Sequence, residues 1–179
     1  MGGNFDLIAR RESCRDFDAA RPVEKEKLIK CLEAARLAPS ACNSQPWRFV
    51  AVTNPALLEK LRPAVQELNM NRFVNDCPAL VVVVEQDASL SEKVGSRFGR
   101  QDFASVDIGL AASQFCYAAA EQGLSTCILG WLNEGRIREL LSLGKSRRVR
   151  LVLAVGYAKT DAPRTKKRKT LAEMSEIIE

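Results

Sequence analysis

Residues 37–47 read LAPSACNSQPW, a run of small and amide side chains between a stretch with helical periodicity and one with strand character. Upstream, Glu24 to Ala38 places Leu28, Leu32 and Ala35 on one face at helical spacing, with Glu24 and Glu26 near the positive end of the dipole. Pro39 stops that helix. Downstream, WRFVAVT (Trp47 to Thr53) fits a half-buried strand, and Asn54-Pro55 turns the chain into a helix expected from about Ala56 to Leu68. Between the two, small residues let a planar ligand approach the backbone. Asn43 and Gln45 each offer a donor and an acceptor, which suits a ring edge that alternates carbonyls and nitrogens. An ordered loop capping a sheet would explain the prolines but not this density of amides.

Outward from this stretch, Phe5 to Arg11 reads as a short helix and Asp16 to Val23 as a turn. Cys77-Pro78 leads into ALVVVVE, a β-branched run too short for a helix and therefore a central strand. Residues 86–103 read as a loop with a short helix. Ala104 to Gln122 is apolar nearly all round, the pattern of a helix buried on more than one side, with Gly123 well placed just past its end. STCILGWLN gives a strand into a tight turn, Glu134 to Leu141 a short helix, and Arg148 to Ala158 another central strand. Helices and strands alternate without a regular βαβ beat. The expected fold is α+β, helices packed on one central sheet, in a single domain over residues 1–179.

Composition narrows the chemistry. The chain has 179 residues and no histidine, which removes Ser-His-Asp and Cys-His catalysis, histidine-metal clusters and imidazole proton shuttles together. Catalysis must lean on a cofactor, on a metal held by oxygen ligands, or on Lys, Tyr and carboxylates. Six cysteines are scattered among apolar neighbours without a C-x-x-C pair, reading as buried thiols rather than a disulfide scaffold. No membrane-length apolar run or signal-peptide core is present, so the expectation is a cytoplasmic, soluble chain without a membrane partner. The net charge of +5 is uneven, concentrated at Lys145, Arg147, Arg148 and Arg150 and again at Arg164, Lys166, Lys167, Arg168 and Lys169. Such clusters fit a solvated face, a nucleic-acid patch or the phosphate of a small ligand. An aromatic content of only 6% argues against a nucleic-acid stacking platform.

Neither common phosphate-cradling glycine loop occurs. Two basic segments, with the amide-rich stretch, offer another design. In RRESCR (Arg10 to Arg15), Arg11, Ser13 and Arg15 alternate, so an extended backbone presents two guanidinium forks and a hydroxyl to one side. In TKKRKT (Thr165 to Thr170), Lys166 and Arg168 share a side and suit a phosphate.

R-x-S-x-R, then E-A-A-R-x-A-P-S-x-x-N-x-Q-P-W-x-F, then D-x-G-x-A-A (Asp107, Gly109, Ala111, Ala112) leading to G-L-S-T-C-I-L-G, then V-G-Y and a K-x-R tail follow one another in that order. From about Ile8 to Leu171 this order resembles the FMN-dependent nitroreductase family. The resemblance implies an intertwined homodimer with a mixed, mainly antiparallel sheet and two tightly but non-covalently held FMN groups at the interface. It implies that Arg11, Ser13 and Arg15 hold the phosphate, ribityl chain and pyrimidine edge, and that Lys166 and Arg168 form a late phosphate-binding pair. Glu12 stands among them where relatives often carry Arg or His, and an acid there is unfavourable beside a phosphate unless it points away. Pro39, Ser40 and Asn43 match residues that the second subunit lays against the flavin. Leu129 and Gly130 match the turn whose amides face N5 and O4, and Asn71 matches an asparagine near the pyrimidine.

The implied activity is transfer of hydride from NAD(P)H through FMN to nitroaromatics, quinones or another flat acceptor in two alternating half-reactions. No catalytic side chain and no metal are required, and Arg15 would stabilise the reduced ring. The same resemblance admits dehalogenation, dehydrogenation or flavin breakdown. Residues 86–103 lack the long inserted helices of larger members, leaving a short substrate cover.

Overall fold

The apolar run ALVVVVE is the central strand around which the chain is built. The computed structural model describes residues 4–86, 101–160 and 165–179. In chain order its elements are α1 (Asn4–Arg10), α2 (Lys25–Arg36), β1 (Trp47–Val52), α3 (Pro55–Leu61), β2 (Ala79–Glu85), α4 (Phe103–Glu121), β3 (Ser125–Leu129), α5 (Glu134–Leu140), β4 (Val149–Gly156) and α6 (Leu171–Met174). The strands order β1-β2-β4-β3, and each neighbouring pair is antiparallel. The parallel component is an isolated bridge between Ser13 and Thr126. Most of the expected 86–103 loop lies outside the described residues.

β2 is buried on both faces because helices cover both. Leu80, Val82 and Val84 join a core with Leu58, Leu61, Val65 and Ile137 from the α3 and α5 side. Ala79, Val81 and Val83 face the opposite way, into a core with Cys31 and Ala35 of α2 and Ile108, Ala111 and Phe115 of α4. The period-2 alternation of a strand divides one apolar run between two cores, each fully buried Val or Leu contributing about 1.5–3 kcal/mol. Among the described residues no helix is long and apolar enough to cross a membrane.

Helix ends follow local chemistry. At the end of α4 the Leu124 N–H donates to Ala119 O at 2.8 Å and the Gly123 N–H to Ala120 O at 3.2 Å. With Gly123 at φ +76 this is a Schellman cap, the role its position in the sequence suggests. α3 starts where expected, Asn54 Oδ1 accepting from the Leu57 N–H at 3.0 Å ahead of Pro55. It ends at Leu61 rather than Leu68. Pro63 lacks the N–H that a continuing helix needs, and Leu68, Asn69 and Asn71 have positive φ, so short 3₁₀ turns carry the chain to β2.

The segment after α1 crosses the ends of β3 and β4. The Cys14 N–H donates to Thr126 O at 2.9 Å, the Asp18 N–H to Tyr157 O at 2.8 Å, and the Lys159 N–H to Asp16 O at 3.1 Å. Cys14 and Phe17 plug into the core between these bonds. The alternation that buries them leaves Ser13 half-buried and Arg15 exposed.

Candidate functional site

The Ser13–Thr126 bridge seats Ser13 beside the second residue of β3, after which the chain turns to pair Phe17 with Ala158 just past β4, so Leu129 and Gly130 lie at the other end of β3. At about 3.3 Å per residue, Gly130 lies about 13 Å beyond Thr126. Ser13 thus sits near the start of the edge strand β3, whose other end is the exposed Gly130. Open space surrounds the position of an added Cβ at Gly130, leaving that backbone accessible.

A cleft of about 390 Å³ opens beside Ser13, lined by Glu12, Ser13, Arg15, Thr165, Lys166, Lys167 and Arg168. Two segments more than 150 residues apart in sequence meet there, held by the Lys166 ammonium. It donates to Arg11 O at 2.7 Å and to the carbonyl of Ala9, so it caps the last turn of α1, where a cation is favoured. Arg168 donates to Lys167 O at 2.8 Å and Arg15 reaches Ser13 O at 3.5 Å, and both side chains are exposed. Lys166 is held below the ordinary lysine range, first by desolvation and then by its neighbours Arg11 and Arg168, against an opposing pull from Glu12. Crowded cations of this kind are relieved by an anion. The donor set of two hydroxyls and several cations fits a phosphate ester carrying a polyol chain.

Arg11 sits on the far side of this junction. It lines a second cleft with Arg10, Arg21 and Lys27, and Glu12 borders both clefts. The alternating trio of RRESCR is therefore divided, with Ser13 and Arg15 in one cleft and Arg11 in the next.

The amide-rich stretch forms a shelf elsewhere on the surface. Cys42, Asn43 and Gln45 have φ of 51, 52 and 49, three left-handed non-glycine residues within four positions. Such conformations are costly and persist where their surroundings hold them. Here the Gln45 N–H donates to Ser40 Oγ at 3.0 Å and Gln45 Nε2 to Asn43 Oδ1 at 3.1 Å. The Ala41 N–H donates to Asp107 Oδ2 of α4 at 3.0 Å. Asp107 is only 4% exposed, so this bond fixes the shelf to the longest helix. Pro39 and Asn43 are exposed and Ser40 half-buried, and none of the three lines either cleft.

Asn71 lies outside both clefts; its Nδ2 donates to Val65 O at 2.9 Å and braces the turn after α3. Leu129 is buried against the core, and its side chain takes no part in either cleft. Asp107 appears in the sequence only as part of a motif. Its signal is an acid set in an apolar helix, which must face a donor if it is buried. Among the described residues no group of three or more His, Cys, Asp or Glu could hold a metal ion.

The model of the family described as Nitroreductase family matches residues 8–72 and 66–157. The oxygen-insensitive NADPH nitroreductase of Helicobacter pylori strain J99 is 25% identical over 190 residues, covering 90% of this chain and 89% of that protein. The iodotyrosine deiodinase of Drosophila melanogaster is 24% identical over 179 residues, which cover 87% of this chain but 62% of the deiodinase. A nitroreductase-fold protein of Exiguobacterium sibiricum, crystallised in complex with FMN, has a TM-score of 0.83 at 22% identity, covering 98% of this chain and 97% of that one.

Proposed function

The chain belongs to the nitroreductase family, and from that premise we propose that it is an FMN-dependent oxidoreductase that takes electrons from NAD(P)H and delivers them to nitroaromatics, quinones or similar flat acceptors. The observation that carries this reading is the convergence of Ser13, Arg15, Lys166 and Arg168 on one cleft beside the strand leading to Leu129 and Gly130. When bound, FMN supplies the reversible hydride chemistry that no side chain here provides.

The residues of the chain bind, orient and polarise. Lys166 and Arg168 hold the phosphate by charge-assisted hydrogen bonds, and Ser13 takes a ribityl hydroxyl. Arg15, in the same cleft as Ser13, places a fixed positive charge at the pyrimidine edge, where reduction adds negative charge. The Leu129–Gly130 backbone reaches the ring because nothing covers Gly130. Glu12 borders the cleft as its one carboxylate, and Arg11 adds positive potential from across the junction. Asn71 supports the ring through the turn it braces. Pro39, Ser40 and Asn43 serve the flavin of a second copy, because in their own chain they line neither cleft. The working form in this reading is a cytoplasmic homodimer, with residues 1–179 as one domain.

Incubation of the purified protein with excess FMN, followed by gel filtration, tests the assignment. A yellow protein with flavin absorbance, reduced anaerobically by NADH or NADPH and reoxidised by a nitroaromatic or quinone, is expected. A colourless protein under those conditions sinks it. The likeness to a deiodinase supports a second reading, reductive dehalogenation on the same flavin. Reoxidation of the reduced protein by halogenated phenols but not by nitroaromatics or quinones would select it.

A further inference from the structure

The second cleft, of about 470 Å³, lies at the end of the sheet where β3 begins and β4 finishes. Thr126 and Ala158 line it, and their bridges to Ser13 and Phe17 tie the segment after α1 across that end. Leu129 and Gly130 stand at the other end of β3. Only Glu12 is common to this cleft and the one assigned to the flavin, so the flavin reading gives it no ligand of its own.

Its charge is lopsided. Arg10, Arg11, Arg21 and Lys27 are opposed by Glu12 as the one lining carboxylate, an excess of three positive charges. Among the described residues Arg10, Arg11 and Arg21 form no ion pair with an acid. The cations fall into two pairs, Arg10 and Arg11 at the end of α1 and Arg21 and Lys27 around Tyr157. Lys27 is fixed, its Nζ donating to the Tyr157 hydroxyl at 2.6 Å and to Gln122 O at 3.2 Å, and the hydroxyl donates in turn to Glu24 at 2.7 Å. The Arg21 guanidinium lies 3.5 Å from the centre of the Tyr157 ring. Such a contact uses the face of the guanidinium and orients it, while its N–H donors stay in the plane for an oxyanion. The cleft volume is in the range of small-molecule sites.

We propose that this cleft is a second anion site that binds a small molecule carrying two phosphate groups, one on each pair of cations. A phosphate monoester carries about −1.5 to −2 near neutral pH, so two such groups match the excess positive charge of the cleft and a single one does not. Guanidinium forks also fit phosphate oxygens in a bidentate way. The site stands apart from the flavin assignment and does not depend on it.

Calorimetric titration of the FMN-loaded protein at fixed ionic strength, with inorganic pyrophosphate, a hexose bisphosphate, ADP and inorganic phosphate as probes, tests the assignment. FMN loading fills the other cleft. At least one two-phosphate probe is expected to bind at one site per chain and at least about tenfold tighter than inorganic phosphate. The tightest of the three identifies what joins the two groups. Arg21→Glu and Arg10→Gln, both at exposed positions, are expected to weaken that probe at least about tenfold and to keep their flavin. Arg168→Glu, in the other cleft, is expected to leave it within about twofold. No probe tighter than phosphate, or a tight probe that Arg21→Glu leaves unaffected, overturns the proposal, as does a probe lost in Arg168→Glu and kept in Arg21→Glu. If the protein takes up no flavin, the proposed function fails, and the same titrations of the colourless protein with these variants still decide this cleft.

Discussion

At Gly156, the glycine of the V-G-Y strand end, an added methyl group would sit 2.7 Å from Pro78 Cδ and 2.9 Å from Phe17 Cδ1. Both neighbours belong to rigid rings, so Gly156→Ala forces a shift in the packing of Phe17, which anchors the segment carrying Ser13 and Arg15. A loss of about 1–3 kcal/mol is expected in denaturant unfolding. The buried thiols give a second residue-scale expectation. Burial pushes Cys31 and Cys77 up from 9.0 to about 12. Below pH 9 both thiols are protonated whether folded or not and stability is unaffected. Between pH 9 and about 12 the unfolded chain releases protons that the folded one retains, so stability falls as pH rises. Two such groups give a slope approaching about 2.7 kcal/mol per pH unit. Denaturant midpoints measured across that window should fall steeply, and less steeply in Cys77→Ala. The sequence shows these cysteines as buried thiols from their apolar neighbours, while the close approach at Gly156 is invisible until Phe17 and Pro78 are brought together.

At the scale of elements, the shelf and α4 form one unit. The three left-handed residues of the shelf keep their conformation because Ser40, Gln45 and Asp107 satisfy its amides. Asp107→Ala leaves the Ala41 N–H without its buried acceptor, a loss of about 1–3 kcal/mol, whereas Asp107→Asn keeps an acceptor and loses less. Hydrogen exchange should quicken at residues 41–45 in the alanine variant, and FMN affinity should drop with it if the shelf meets a flavin. Unchanged exchange would dissociate Asp107 from the shelf. α2, α4 and β2 were legible because their apolar period is long or unbroken. The end of α3 was not, because no glycine marks the positive φ of Leu68, Asn69 and Asn71, and the Asn71 brace on Val65 appears only in the fold. The amide stretch could be read as a ligand-facing loop from its composition. Its attachment to Asp107 required the fold, since the two lie 66 residues apart.

At the scale of the molecule, the candidate site was readable as a set of ordered motifs, with Pro39, Ser40 and Asn43 expected from a second subunit, but the separation of Arg11 from Ser13 and Arg15 was not. Ser13, Arg15, Lys166 and Arg168 meet within one chain, while Pro39, Ser40 and Asn43 stand apart from them. α4 leaves Val106 48% and Leu110 42% exposed on the helix that fixes the shelf, and α1 leaves Phe5 86% exposed. Exposed apolar side chains of this kind fit a face covered by a second copy. In the proposed dimer, Leu110→Glu is expected to give a monomer that has also lost its flavin, seen by light scattering and absorbance together. A flavin-loaded monomer would detach the shelf from the site. The shared site is tested most directly by mixing chains. Arg15→Ala and Asn43→Ala should each weaken FMN by about 1.5–3 kcal/mol as homodimers. In a heterodimer of the two variants, residues acting from opposite chains place both lesions in one site and restore the other, so one site of wild-type affinity per heterodimer is expected. Titration of purified heterodimer that finds no wild-type site would show that both residues serve the flavin from the same chain, and would contradict the account.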